Sequence, residues 1–264
     1  MQAFKTLLFV GVILCTTLLL SAQKSGLITY SEVTKLELEG IEGLNLKDMM
    51  PSEMGASKAL YFNQLTTVYR DADDHVNEDI EMESDDGSFQ MVFSTGSAIE
   101  EILYTDLNER KSLHQTEFMG KEFLITSDIE KAKWKITDER IKYLDFVCQK
   151  AVRTETIPPT PGTDGEPKER EIVAWFTPEI PLPIGPDNYG QLPGAVLLVS
   201  VDEGKTEIKA TAVDLEVDIA ERLTAPTKGQ KVSPEEYDQI IADKMKELQE
   251  SYNNKEGASF IIRG

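Results

Sequence analysis

From Ser25 to Asp218 the chain alternates apolar and polar residues at a two-residue period, segment after segment, with no helical stripe between the segments. A strand puts successive side chains on opposite faces, so this spacing builds sheets that bury one side. Without crossover helices, consecutive strands must pair antiparallel. Leu27, Ile28 and Tyr30 open the first strand, and Leu36 and Leu38 continue it. Residues 40–57, with three glycines, Pro51 and three methionines, read as a loop or irregular insertion, and residues 59–70 (ALYFNQLTTVYR) as one central strand.

Residues 71–87 (DADDHVNEDIEMESDDG) invite a metal reading, but the calcium-loop template fails. Val76 stands where glycine must turn the chain, and Met82 where a bidentate glutamate belongs. A solvated acidic loop is the expectation, with Asp86-Gly87 turning into the alternating SFQMVFS segment as a hairpin. Further strands are expected over 101–107, 112–118 and 121–126. Trp134 and Ile136 alternate before a turn at Thr137–Arg140, and Ile141, Phe146, Cys148 and Val152 return from it. Residues 157–171 (IPPTPGTDGEPKERE) cannot bury themselves and read as a loop joining two strands. Residues 172–177, 195–201 and 206–218 complete the set.

One helix is expected, late in the chain over 233–252. Ser233 is its N-cap, Pro234 takes the first helical position, and Glu236 completes a capping box. Tyr237, Ile240, Ile241, Met245, Leu248 and Tyr252 follow the 3.6-residue period and give it one apolar stripe. The fold class implied is mainly β: a curved antiparallel sheet with a C-terminal amphipathic helix.

The first residues have the layout of a secretory signal peptide: Lys5, an apolar run over 7–20, and a small-residue cleavage site at Ala22. The run is too short for a spanning helix, and no other segment is apolar enough. Cleavage leaves 242 of the 264 residues as one domain, 23–264, with Cys148 as its sole cysteine. An exported chain with one thiol must rely on burial rather than disulfides. Cys148 reads as a small buried hydrophobe. The net charge of −20 argues against nucleic acid and anionic lipid headgroups as partners.

The proline-rich stretch AWFTPEIPLPIGPDNYGQLPGAVLLV, residues 174–199, demands separate treatment. Pro178, Pro181, Pro183 and Pro186 fix φ and remove backbone donors, so residues 178–189 cannot form an interior strand. The expectation is an extended, rigid ribbon along an edge or over the surface. Gly185, Gly190 and Gly194 return it to the sheet at Ala195, and Trp134 and Trp175 pack beneath it.

The pieces Trp134-Lys135-Ile136, Cys148-Gln149-Lys150-Ala151, Ala174 through Pro181, Gly185-Pro186 and Gly190-Gln191-Leu192-Pro193-Gly194-Ala195-Val196 occur in an order that resembles the GLPGLI family of exported bacterial proteins, a family without an established activity. The naming motif departs here: Gln191 is inserted after Gly190, and Ala195-Val196 stand where Leu-Ile is typical. The resemblance points to Trp134, Trp175, Glu179, Pro181, Gly185, Pro186, Tyr189, Gly190, Leu192, Pro193 and Gly194 as candidates for ligand or partner binding. By analogy of fold alone, a long antiparallel sheet with a late helix is similar to the half-barrels of periplasmic lipoprotein carriers, whose inner face holds an acyl chain.

Three functions follow as expectations. The first is a non-enzymatic envelope protein of the periplasm or outer membrane that binds an apolar small molecule, a lipid or a protein partner. The second is an accessory subunit of a surface transport or secretion system. The third is a hydrolase using carboxylates such as Glu100, Glu101, Asp145 or Glu179. No nucleophile elbow, HExxH or phosphate loop is present, and His75 and His114 read as surface residues. The sequence implies no cofactor and no metal.

Overall fold

The computed structural model describes residues 25–36, 52–73, 79–83, 90–94, 100–159, 166–215 and 217–253. The expected signal peptide, His75, and the turn at Asp86-Gly87 lie outside them. The strands are β1 (Gly26–Lys35), β2 (Glu53–Phe62), β3 (Thr66–Asp71), β4 (Asp79–Glu83), β5 (Gln90–Ser94), β6 (Ile102–Asp106), β7 (Lys111–Phe118), β8 (Lys121–Asp128), β9 (Lys135–Tyr143), β10 (Phe146–Ile157), β11 (Lys168–Thr177), β12 (Ala195–Val201), β13 (Thr206–Asp214) and β14 (Gln230–Val232), followed by helix α1 (Pro234–Asn253). Twelve of them form one sheet in the order β14-β8-β7-β6-β3-β2-β1-β13-β12-β11-β10-β9, and β4 and β5 pair apart. Every neighbouring pair is antiparallel except β14 with β8.

This sheet cannot be flat. Ten strand spacings separate β8 from β9, about 48 Å across a flat sheet. Yet only residues 129–134 connect them, and the seven Cα steps from Asp128 to Lys135 reach about 25 Å at most. The ends must curl toward each other, and the connecting segment becomes a strap across an open bowl.

Register assigns the two faces. Tyr30 lies opposite Lys58, and Lys58 opposite Asp71; Leu60 lies opposite Tyr69, Tyr69 opposite Leu103, and Leu103 opposite His114. These side chains share the inner face with Ile28, Phe62, Ile172, Ala174, Phe176, Leu197, Val199 and Ile208 of the main core. On the outer face Ala59, Tyr61 and Val68 are covered by Ile219, with Val217 and Leu223 beside it. The chain then passes β14 at the sheet edge. Helix α1 follows, packing Tyr237 edge-on to Phe123 with ring centroids 5.1 Å apart. Since Phe123 faces Thr116 and Ile125 faces His114, the helix lies on the inner side of that edge. Its capping box is formed as the sequence implies: Glu236 N–H donates to Ser233 Oγ at 3.2 Å, and Ser233 N–H donates to Glu236 Oε2 at 2.8 Å.

Several sequence expectations need correction. Residues 59–70 are two strands, because Asn63 Oδ1 accepts from the N–H groups of both Leu65 and Thr66 at 2.8 Å and turns the chain there. The hairpin turn falls at Leu144, which adopts φ 50°, and not at Thr137–Arg140, whose polar residues belong to the exposed edge strand β9. Residues 79–83 of the supposed acidic loop form β4. Residues 53–57 belong to β2 rather than to a loop. The supposed loop 157–171 is shorter, since β10 runs to Ile157 and β11 begins at Lys168.

Candidate functional site

The proline ribbon does not run over the surface. Ile180, Ile184, Tyr189 and Leu192 are buried in the main core, while Pro181, Pro183 and Pro193 face solvent. Prolines exclude the ribbon from a hydrogen-bonded ladder but not from lying across the face of one. The amides of Leu182, Ile184 and Gly194 donate to the carbonyls of Ile180, Leu182 and Leu192, each at 2.8 Å. These are three-residue turns with Pro181, Pro183 and Pro193 at their centres, where the fixed φ of proline suits the inverse γ-turn. Ribbon carbonyls also hold it to the sheet: Ile180 O accepts a second bond, from Ala195 N–H, and Ile184 O accepts from Val196 N–H, both at 3.0 Å.

Burying those four side chains is worth roughly 1.5–3 kcal/mol each, as an upper bound, so the ribbon is fixed as firmly as a core strand. A Cβ on Gly194 would collide with the Thr177 carbonyl oxygen, and one on Gly185 would stand 2.8 Å from the Tyr189 carbonyl oxygen. Tyr30 Oη donates to Val196 O at 2.6 Å, across the inner face.

The other candidates from the sequence serve this assembly. Glu179 is exposed, and its Oε1 accepts from Val147 N–H at 2.9 Å, tying the ribbon's start to β10. Pro186 is buried and accepts from Tyr189 N–H at 3.0 Å. Trp175, by contrast, is half-buried on β11 in register with Lys150 and Leu198, on the face opposite the inner residues Ala174 and Val199, so it does not lie beneath the ribbon as the sequence suggests. Trp134 Nε1 donates to Gly190 O at 2.9 Å.

Two features went unread in the sequence. Gln191, the inserted residue, adopts φ 69° and rivets ribbon to strap: its Nε2 donates to Glu130 O at 2.9 Å and its Oε1 accepts from Ala132 N–H at 3.1 Å. Arg153 stacks its guanidinium 4.7 Å from the Trp134 ring and 5.3 Å from the Tyr189 ring. The basic run KAKWK in an acidic chain was the available signal for the strap.

Between ribbon, strap, β6, β7 and β10 the bowl retains a cavity of about 930 Å³. Leu103, Leu107 and Ile184 give it apolar patches; Thr67, Thr105, Ser112, Thr154 and Thr156 give hydroxyls. Arg110, Lys131, Lys133 and Arg153 stand against Asp128, Glu130, Glu155 and Asp187, so its formal charge is balanced within a chain of −20. Asp187 adopts φ 45° in the turn after Pro186.

Beyond the cavity the inner face carries a second polar group. His114, expected at the surface, faces inward with its Nε2 2.9 Å from Glu101 Oε1; that bond holds the Glu101 carboxyl below the usual range against burial. Lys58 lies 2.7 Å from Asp71; burial works against its charge, but Asp71 outweighs it and the pKa rises. Tyr69 Oη donates to Glu32 Oε2 at 3.3 Å, and burial raises the Glu32 carboxyl despite Lys58. Burial, and then Glu179, push the Cys148 thiol up to about 11, so it remains protonated at neutral pH. No cluster of three or more metal-ligating side chains occurs among the described residues.

A family model described as a protein of unknown function (Porph_ging) matches residues 162–198, which span the ribbon. That match is to a family of unknown function and does not itself carry the GLPGLI name. No curated protein matches the sequence. Among solved structures, PNGF-II in a C2 crystal form aligns with a TM-score of 0.50 at 16% identity, over 83% of this chain and 32% of that one. The same protein in a P21 form gives 0.47 at 16% identity, over 83% and 33%. LprF from Mycobacterium bovis gives 0.27 at 8% identity, over 79% and 90%. The chain thus spans about a third of PNGF-II, and the likeness is one of fold.

Proposed function

We propose that this chain is an exported, non-catalytic binding protein of the cell envelope, and that its ligand is polar and enters the groove between ribbon and strap. One observation carries the reading: the apolar inner face is already filled by Ile180, Ile184, Tyr189 and Leu192, which leaves an open cavity of about 930 Å³ with hydroxyl and charged walls. A volume of this order suits a small-molecule site with rigid walls and a few placed polar groups. An apolar molecule or lipid, expected from the sequence, would have to displace the ribbon. The signal-peptide layout supports export.

The test is native mass spectrometry of the mature chain taken from the envelope, beside a Thr105→Trp variant that fills the groove. A bound mass on the wild type that the variant lacks is expected; a bare wild-type chain refutes the reading. A protein partner is the second reading. Leu144 and Val147, exposed by 40% and 50%, lie together at the turn of the β9–β10 hairpin. A co-purifying subunit lost on Val147→Asp would favour it.

A further inference from the structure

The groove wall holds an arginine in an unusually costly position. The Arg153 guanidinium lies over two rings, 4.7 Å from that of Trp134 on the strap and 5.3 Å from that of Tyr189 on the ribbon. Its Nη2 lies 3.1 Å from Asn188 Oδ1 and 3.1 Å from Glu155 Oε2. Its Nε is buried with no acceptor, a loss that costs stability. What remains is the Nη1 end, which makes no hydrogen bond among the described residues. This edge is left for a ligand, and a guanidinium edge is a fork for planar or tetrahedral oxyanions.

The strap supplies the rest. Lys131 and Lys133 are exposed, line the groove and form no ion pair among the described residues. Glu155, the nearest acid, is shared with Arg170, whose Nε donates to it at 2.6 Å, so two guanidinia stand over one carboxylate. We infer that Arg153 Nη1, with Lys131 and Lys133, forms an oxyanion seat in the groove for a carboxylate or phosphate group of the ligand. The inference rests on the reading of the groove as the ligand site and names the chemistry it selects. Asp128, Glu130 and Asp187 line the same groove. They would reject ligands of high negative charge, so the seat suits a single oxyanion on an otherwise neutral or mixed-charge molecule.

The test follows the Arg153 Nε–Hε resonance of the whole mature chain by NMR while acetate, inorganic phosphate or sodium chloride is added at constant ionic strength. A saturable shift with acetate or phosphate and none with chloride is expected, and the stronger of the two names the group. A Lys131→Gln, Lys133→Gln double variant, altered only at exposed strap positions, should weaken that response roughly tenfold. Lys231→Gln on β14 should leave it unchanged. Flat titrations with both anions, or a response the double variant retains in full, overturn the seat. A wild-type chain that carries a bound mass yet gives flat titrations removes the seat alone. A bare chain with a live anion response removes the envelope-ligand reading instead.

Discussion

Gln191 interrupts the motif to which it belongs, and its replacement by alanine measures what the interruption does. The side chain makes two bonds to the strap: the donation to Glu130 O is exposed, while the acceptance from Ala132 N–H is half-buried. Removing the first costs little, since water replaces it. Removing the second strands a backbone donor against the ribbon, and the two losses together come to about 1–2 kcal/mol. For a domain of this size that corresponds to a fall in Tm of roughly 2–8 °C. Thermal unfolding followed by far-UV circular dichroism reads it directly. Gln191→Glu keeps the acceptor for Ala132 but sets a carboxylate against the Glu130 carbonyl, so it should be weaker than wild type at pH 7 and regain stability as acid protonates it. A Tm of Gln191→Ala within about 1 °C of wild type would refute the rivet, because two bonds between the segments that close the bowl could not then be holding it.

Truncating the ribbon's anchors should cost more. Leu192→Ala or Ile184→Ala, each nearly solvent-free, should lose about 2–5 kcal/mol in urea denaturation. Gly194→Ala should fail to reach the native state, seen as loss of soluble folded chain, because the added methyl meets the Thr177 carbonyl. Glu101 should titrate below the ordinary glutamate range by NMR, and His114→Ala should bring it back up. Its contribution to stability is present above the unfolded pKa and is lost as pH falls through the lower folded value; Glu32, whose pKa is raised, carries the opposite sign. Cys148 should resist a disulfide-exchange reagent at pH 8 in the native chain and react on unfolding, since its thiol lies near 11 and is fully buried.

The sheet was legible because period-two alternation is a local property. Strands such as Ala195–Val201 and the capping box of α1 lie close to where the sequence puts them. The errors arose where a side chain acts on the backbone, as Asn63 does in splitting β2 from β3, or where polar residues occupy an exposed edge, as in β9. Strand β14 escaped because its parallel pairing with β8 spans a hundred residues and leaves no local pattern. The ribbon was recognised and misplaced: proline chemistry excludes the ladder but says nothing of the alternating Ile180, Leu182 and Ile184, which turn the ribbon's inner side into core. The groove was illegible altogether. Arg153, the strap lysines and Asp187 come from three separate segments that meet only when the sheet curls.

Residue-by-residue hydrogen exchange tests the embedded ribbon most directly. The amides of Ala195 and Val196 are bonded to the ribbon carbonyls of Ile180 and Ile184, so their protection depends on the ribbon staying in place. With the ribbon seated in the bowl, both amides exchange as slowly as that of Val199 in the centre of β12. Fast exchange at Ala195 and Val196 beside a protected Val199 would mean that the ribbon lifts away, and that the inner face is open to an apolar guest.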